Sequence, residues 1–154
     1  MKVAGNLLAQ ATTSCRRSRP SHRDNSGIVA GLPPFELGYA RTDLRRTLVE
    51  AVLRGEKTAT ASLLTEYRPD EPIARPGDEH QLLGYNDEPL GVVKTTDVQL
   101  VRAGDVDLQF ARDEGEGFDT VAAWRSAHER FWAGQTITDD TLIVCQRFTL
   151  IERY

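Results

Sequence analysis

The chain has 154 residues, with 40% hydrophobic and 27% charged side chains and a formal net charge of −4. That size suits one domain whose core folds without a metal or disulfide staple, and the composition excludes disorder throughout. Residues 1–36 carry five cationic and two anionic side chains, which leaves a balance of −7 on residues 37–154; so acidic a body excludes a protein that coats duplex nucleic acid through many phosphate contacts.

Met1 to Ala9 imitates a signal peptide, but Gly5 and Asn6 interrupt its apolar stretch. Residues 10–27 collect Thr, Ser, Arg, Pro, Asn and Gly with few large apolar side chains, too few to offset the entropy of ordering. Residues 1–34 therefore read as a flexible extension and residues 35–154 as the domain; the second reading of the extension is a basic arm that grips RNA. No segment reaches the roughly 18 apolar residues of a membrane span. Cys15 and Cys145 lack Cys or His neighbours at metal-ligand spacing, so two free thiols in a reducing cytoplasm are expected, with no bound metal.

From Thr42 the spacing of Leu44, Leu48, Ala51 and Val52 predicts a helix, with Arg45, Arg46, Glu50 and Arg54 on its polar side. Thr42 or Asp43 caps its start and Gly55 supplies its stop. Thr58 to Leu64 reads as a strand, followed by a loop through Pro69, Pro72 and Pro76 that contains Tyr67 near its start, a candidate lid residue. Gly77-Asp78 then opens a hairpin of Glu79–Tyr85 and Pro89–Val101, in which period-two spacing sets Val92, Val98 and Leu100 on one face. A short helix over 106–114, a break at Gly115-Glu116-Gly117, a helix over 119–132 with Val121, Trp124, His128 and Phe131 on one stripe, and a strand over 141–152 complete the chain. The fold class is α+β.

Leu53 to Thr60 carries the clearest chemical signal: a helix stops at glycine and presents Lys57 and Thr60. In a straight strand the two would face opposite ways, so a shared site requires the chain to kink after Gly55. A purely structural role is equally open, because Lys57 follows a helix C-terminus that favours a cation. Trp132, at a helix end, is expected to be partly exposed and able to stack on a base. His128, on the apolar stripe, is either a satisfied core histidine or a titrating group at the site. Arg125 is a candidate phosphate contact, with solvation on an outer helix face as the alternative. Asp113, Glu114 and Glu116 form an acidic loop of the type that holds a divalent cation.

Gly55-x-Lys57-x-x-Thr60, Gly77-Asp78, Phe110-Ala111-x-x-Glu114-Gly115-Glu116-Gly117, Trp124-Arg125-x-x-His128-x-x-Phe131 and Val144-Cys145-x-x-Phe148 together resemble the ASCH domain, in its bacterial stand-alone branch, over about Gly38 to Ile151. The resemblance implies a small PUA-like β-barrel flanked by helices, with a cleft for RNA or a nucleoside. Within that superfamily one group hydrolyses N(4)-acetylcytidine with a lysine, a threonine and a glutamate, and another member type is a ribonuclease. Carried over by motif, the catalytic residues are Lys57, Thr60 and Glu114, with Glu116 competing for the acidic role. The candidate substrate contacts, read from the residues themselves, are Tyr67, Glu116, Arg125, His128 and Trp132. The expected activity is thus that of a hydrolase, an amidohydrolase of N(4)-acylated cytidine without a cofactor. The alternatives are a single-strand ribonuclease assisted by a divalent metal and a non-catalytic RNA-binding module.

Overall fold

The computed structural model describes residues 31–154; the expectations for the extension and for Cys15 lie outside the described residues, apart from the last few positions of the extension. In chain order the elements are β1 (Pro34–Phe35), α1 (Asp43–Leu53), β2 (Ala59–Leu63), β3 (Glu79–Leu83), β4 (Pro89–Arg102), α2 (Leu108–Asp113), α3 (Val121–Phe131) and β5 (Leu142–Arg153). The strands form one sheet in the order β1-β3-β4-β5-β2, antiparallel except for β1 with β3. This is the expected α+β architecture, but the sheet stays open rather than closing into a barrel: the two edges are β1, only two residues long, and β2, only five, and no pairing joins them.

Thr42 caps α1 by accepting from the Arg45 N–H, as its sequence signal requires. The apolar side of α1 buries Leu48, Val49 and Val52 against one face of the sheet, with Phe35, Leu37, Leu82, Val93 and Phe148. The opposite face carries the second core: Ala59, Ala61, Leu63, Ile143 and Cys145 pack against Phe110 and Ala111 of α2, and Trp124 of α3, with Trp132 just beyond. Because Ala59, Ala61 and Leu63 belong to that second core, the alternation of β2 turns Thr60 and Ser62 toward the α1 face.

Two expectations change. Arg45 is not on the polar side of α1 but buried, its guanidinium donating to the Leu37 and Gly38 carbonyls at 3.2 and 2.9 Å and pairing with Asp87. Three acceptors compensate the desolvation that spacing alone would forbid. In β4 the register shifts between Thr95 and Asp97, so the alternation inverts: Val93 lies in the α1 core, whereas Val101 packs against the α2–α3 core. Val92 therefore does not share a face with Val98 and Leu100, because a bulge re-aims every side chain beyond it.

Candidate functional site

Gly55, at φ 76°, ends α1, and the Glu56 and Lys57 N–H groups both donate to the Ala51 carbonyl at 2.9 and 3.1 Å. The chain then runs extended beside the end of α2, where the Thr58 N–H donates to the Asp113 carbonyl at 2.8 Å. The approach at Gly115 is so close that a Cβ there would lie 2.6 Å from the Glu56 oxygen and 2.7 Å from the Lys57 Cα. Only glycine permits it, and its φ of 67° is likewise one that glycine adopts freely.

This junction buries a charged cluster. Lys57 is 1% exposed, and its Nζ donates to the Glu114 backbone oxygen at 3.0 Å and to Glu116 Oε1 at 3.2 Å. Glu114 and His128 are fully buried. The Trp124 indole donates to Glu114 Oε2 at 2.9 Å, and His128 Nε2 stands 3.1 Å from the same oxygen, close enough for an ion pair but without the alignment of a hydrogen bond. On its other side the His128 ring has Nδ1 2.8 Å from the Trp124 carbonyl. A carbonyl only accepts, so Nδ1 carries a proton. A neutral ring would then turn the lone pair of Nε2 toward the carboxylate, and the two repel unless a second proton sits on one of them. Lys57 with Glu116 and His128 with Glu114 thus form two pairs, each able to be electrically neutral.

Glu116 Oε2, Glu114 Oε1 and the Trp132 indole N–H are also buried without a hydrogen-bond partner. Burial pushes the Glu116 carboxyl above the usual carboxylate range, against the lowering effect of Lys57 and reinforced by Glu114. Burial likewise pushes the neighbouring Cys145 thiol up to about 12, helped by the charge of Glu114, so it stays a thiol rather than a thiolate nucleophile.

The candidate residues divide accordingly. Lys57, Glu114, Glu116 and His128 come together. Glu114 offers Lys57 its backbone oxygen, while Glu116 offers its carboxylate, a division of roles that spacing does not reveal. Thr60 is only 1% exposed but sits on the other face of β2, its hydroxyl unpartnered and hydrogen-bonded to neither Lys57 nor Glu114. The kink after Gly55 does exist, with the Lys57 N–H still tied to the helix end, but β2 begins at Ala59 and its alternation puts Thr60 on the face opposite Ala59 and Ala61. Tyr67 also belongs to that face, its hydroxyl 3.0 Å from Ser62 Oγ. Arg125 is committed to Glu129 and Asp139 at the surface. Trp132 is not an exposed stacking platform: it is 3% exposed and packs edge-on against Trp124, at 6.4 Å between ring centroids.

The three carboxylates of the acidic loop diverge. Asp113 pairs with Arg147, Glu114 meets Trp124 and His128, and Glu116 meets Lys57. They present no shared set of oxygens to a divalent cation, so the residues do not fit the metal that the ribonuclease alternative requires.

A small α+β domain with an open mixed sheet and a buried lysine–carboxylate–histidine cluster at a helix-to-strand junction is of the PUA-like class. The chain belongs to the ASCH domain family, which it matches over residues 37–152. It is similar to the crystal structure of a DUF984-family protein from Enterococcus faecalis V583, at 28% identity and a TM-score of 0.69 over 77% of this chain and 76% of that one. It is also similar to an ASCH domain from Lactobacillus crispatus JV V101, at 25% identity and a TM-score of 0.68 over 77% and 78% of the respective chains. No curated protein matches the chain significantly. Among the described residues no helix is long and apolar enough to cross a membrane.

Proposed function

We propose that this ASCH domain binds a nucleoside or a short single-stranded RNA segment in the cytoplasm and hydrolyses the exocyclic amide of an N(4)-acylated cytidine. The observation that supports this reading is the cluster of four ionisable side chains, Lys57, Glu114, Glu116 and His128, at one buried junction with two carboxylate oxygens left unpartnered. Burying ions costs several kcal/mol each even when they are paired, and a buried carboxyl raised as that of Glu116 is is of the kind found where proton transfer is done. In this reading a water molecule attacks the acyl carbon and gives its proton to the Glu116 carboxylate, a stronger base for its raised pKa. The Lys57 ammonium stabilises the oxyanion. The Glu114–His128 pair hands a proton to the departing nitrogen, which leaves as the amino group of cytidine while the acyl group leaves as a carboxylate. Water takes the nucleophile's place because the Thr60 hydroxyl points away from the cluster.

The test is to incubate the protein with N(4)-acetylcytidine and with labelled single-stranded RNA, each with and without EDTA. Acetate release that ignores EDTA, falls at least about tenfold in Glu116→Gln and survives within about threefold in Thr60→Ala is expected. Absence of acetate release would overturn the reaction. The complete burial of Lys57 and Glu114 favours a second reading, a non-catalytic binding module, whose signature is nucleoside or RNA binding with no product.

A further inference from the structure

The cluster of Lys57, Glu114, Glu116 and His128 is shut off from solvent, so whatever it acts on must enter through one of its walls. Three of those walls are tied down. The Lys57 segment is held by the Thr58 N–H to the Asp113 carbonyl at 2.8 Å and by the Phe148 N–H to the Thr58 carbonyl at 3.0 Å, and α2 and α3 have their own helical bonds. The fourth wall is Glu116 to Asp119, the stretch between the α2 turn and the Thr120 cap of α3. Among the described residues, no backbone N–H or carbonyl of these four takes part in a hydrogen bond. The anchors on either side are firm: the Gly115 N–H donates to the Arg112 carbonyl at 3.0 Å, and the Thr120 hydroxyl accepts from the Ala123 N–H at 3.0 Å. Between them Gly117, at φ 83°, has open space where a Cβ would lie, so nothing packs against the middle of the stretch.

We infer that Glu116 to Asp119 form a flap that swings outward to admit the acyl end of the ligand and recloses to bring Glu116 back to Lys57. The inference rests on the reaction proposed above and adds the route by which a buried cluster meets its substrate. Two side chains hold the flap down. Glu116 reaches inward to Lys57 Nζ at 3.2 Å, and Phe118 lies half-buried on the α2–α3 core with its ring centre 5.8 Å from that of His128. Phe118 gives up only part of its surface to the core, so withdrawing it exposes less apolar area than withdrawing a fully buried neighbour. The closed position also carries a penalty: Glu116 Oε2 and Glu114 Oε1 are buried without partners, and water admitted by opening satisfies both. Against that, opening parts Lys57 from Glu116 and leaves the ammonium only the Glu114 carbonyl, until water or ligand takes the place of the carboxylate. Opposing terms of this kind make an element with two positions. Because Glu116 rides on the moving part, the base and the ammonium meet only when the flap is down over the ligand.

The two tryptophans of the chain, Trp124 and Trp132, both stand against His128, so hydrogen exchange of their indole N–H groups, followed by NMR on the full ligand-free chain, reads the flap directly. The reference is the backbone amide of Ile143, fully buried in β5 between β2 and β4. In the wild type the indoles are expected to be protected at least about tenfold less than Ile143, and low urea is expected to leave their exchange nearly unchanged, because only the flap opens. Phe118→Ala, which removes the plug, is expected to lower indole protection a further fivefold or more at a given Ile143 protection. Gly117→Ala, strained at its positive φ when the flap is down, is expected to act in the same direction and serves where Phe118→Ala does not fold. Indole protection equal to that of Ile143 in the wild type, or unchanged in a folded variant, overturns the inference. The same samples are then given N(4)-acetylcytidine. Acetate release with indoles that exchange only on global unfolding sinks the flap and spares the reaction; the expected exchange without acetate release sinks the reaction and spares the flap.

Discussion

At Gly115 the backbone of the α2 turn touches the backbone of Glu56 and Lys57, and the charged cluster depends on that contact. Gly115→Ala is expected to lower stability by about 1–3 kcal/mol through its positive φ alone, with the added clash of its Cβ, and to displace Lys57 from the Glu114 carbonyl; denaturant melts and the Lys57 side-chain NMR signals check this. Glu116 makes a pH prediction. Its carboxyl holds its proton more tightly folded than unfolded, so as pH rises above the ordinary carboxylate range the unfolded chain loses that proton first. Folded stability therefore falls with rising pH over that interval, until folded Glu116 has ionised as well. Melts across pH in wild type and Glu116→Gln are expected to differ by this slope, and parallel curves would contradict the raised value. The residue scale is also where reading from sequence failed most: Arg45 sat on the polar side of a helix pattern, and nothing local announced the Leu37 and Gly38 carbonyls and Asp87 that draw it inside. Trp132 is buried because its neighbours His128 and Trp124 are one and two helical turns back on the same stripe and carry it into the core.

At the scale of elements, α1, the β3–β4 hairpin, α3 and β5 were legible because each is long enough for its period and its caps to show, and the observed ends lie within about two residues of those expected. β1, with two residues, carries no period at all. The bulge in β4 was equally invisible, because Thr95-Thr96-Asp97 has no glycine to mark it, and the placement of Asp97, Gln99 and Val101 on the α2 side follows from it. Thr96 is the extra residue between the Thr95–Phe148 and Asp97–Arg147 pairs, so deleting it is expected to remove the bulge, leave Asp97 and Gln99 on the α2 face and keep a cooperative fold; circular dichroism melts with backbone NMR of the β4–β5 pairing check it. Loss of the Asp97–Arg147 pairing in that deletion would contradict this reading of the bulge. Of the site, Lys57, Glu114, Glu116 and His128 could be singled out from motif and stripe, whereas the separation of Thr60 could not, because it depends on where in the chain the kink is completed.

Across the whole molecule, the ASCH fold puts two cores on the two faces of one sheet and leaves the charged cluster where helix and strand change over. The acidic balance of residues 37–154 fits a ligand without phosphates. A protein that relies on six to ten phosphate contacts loses roughly 10³–10⁵ in affinity between about 50 and 200 mM salt. Cytidine binding by this domain is expected to change less than about twofold over the same range, and a steep loss would point to a phosphate-gripping surface instead.

The proposed reaction requires the Lys57 ammonium, held by Glu116 and the Glu114 carbonyl, to do chemistry rather than only fill the core. The most direct measurement is kcat/KM for N(4)-acetylcytidine in Lys57→Met, which keeps the length of the side chain and removes its charge, alongside a thermal melt. A loss of at least about a hundredfold with a cooperative melt retained is the predicted result; a folded Lys57→Met protein that matches wild type within about twofold would contradict it.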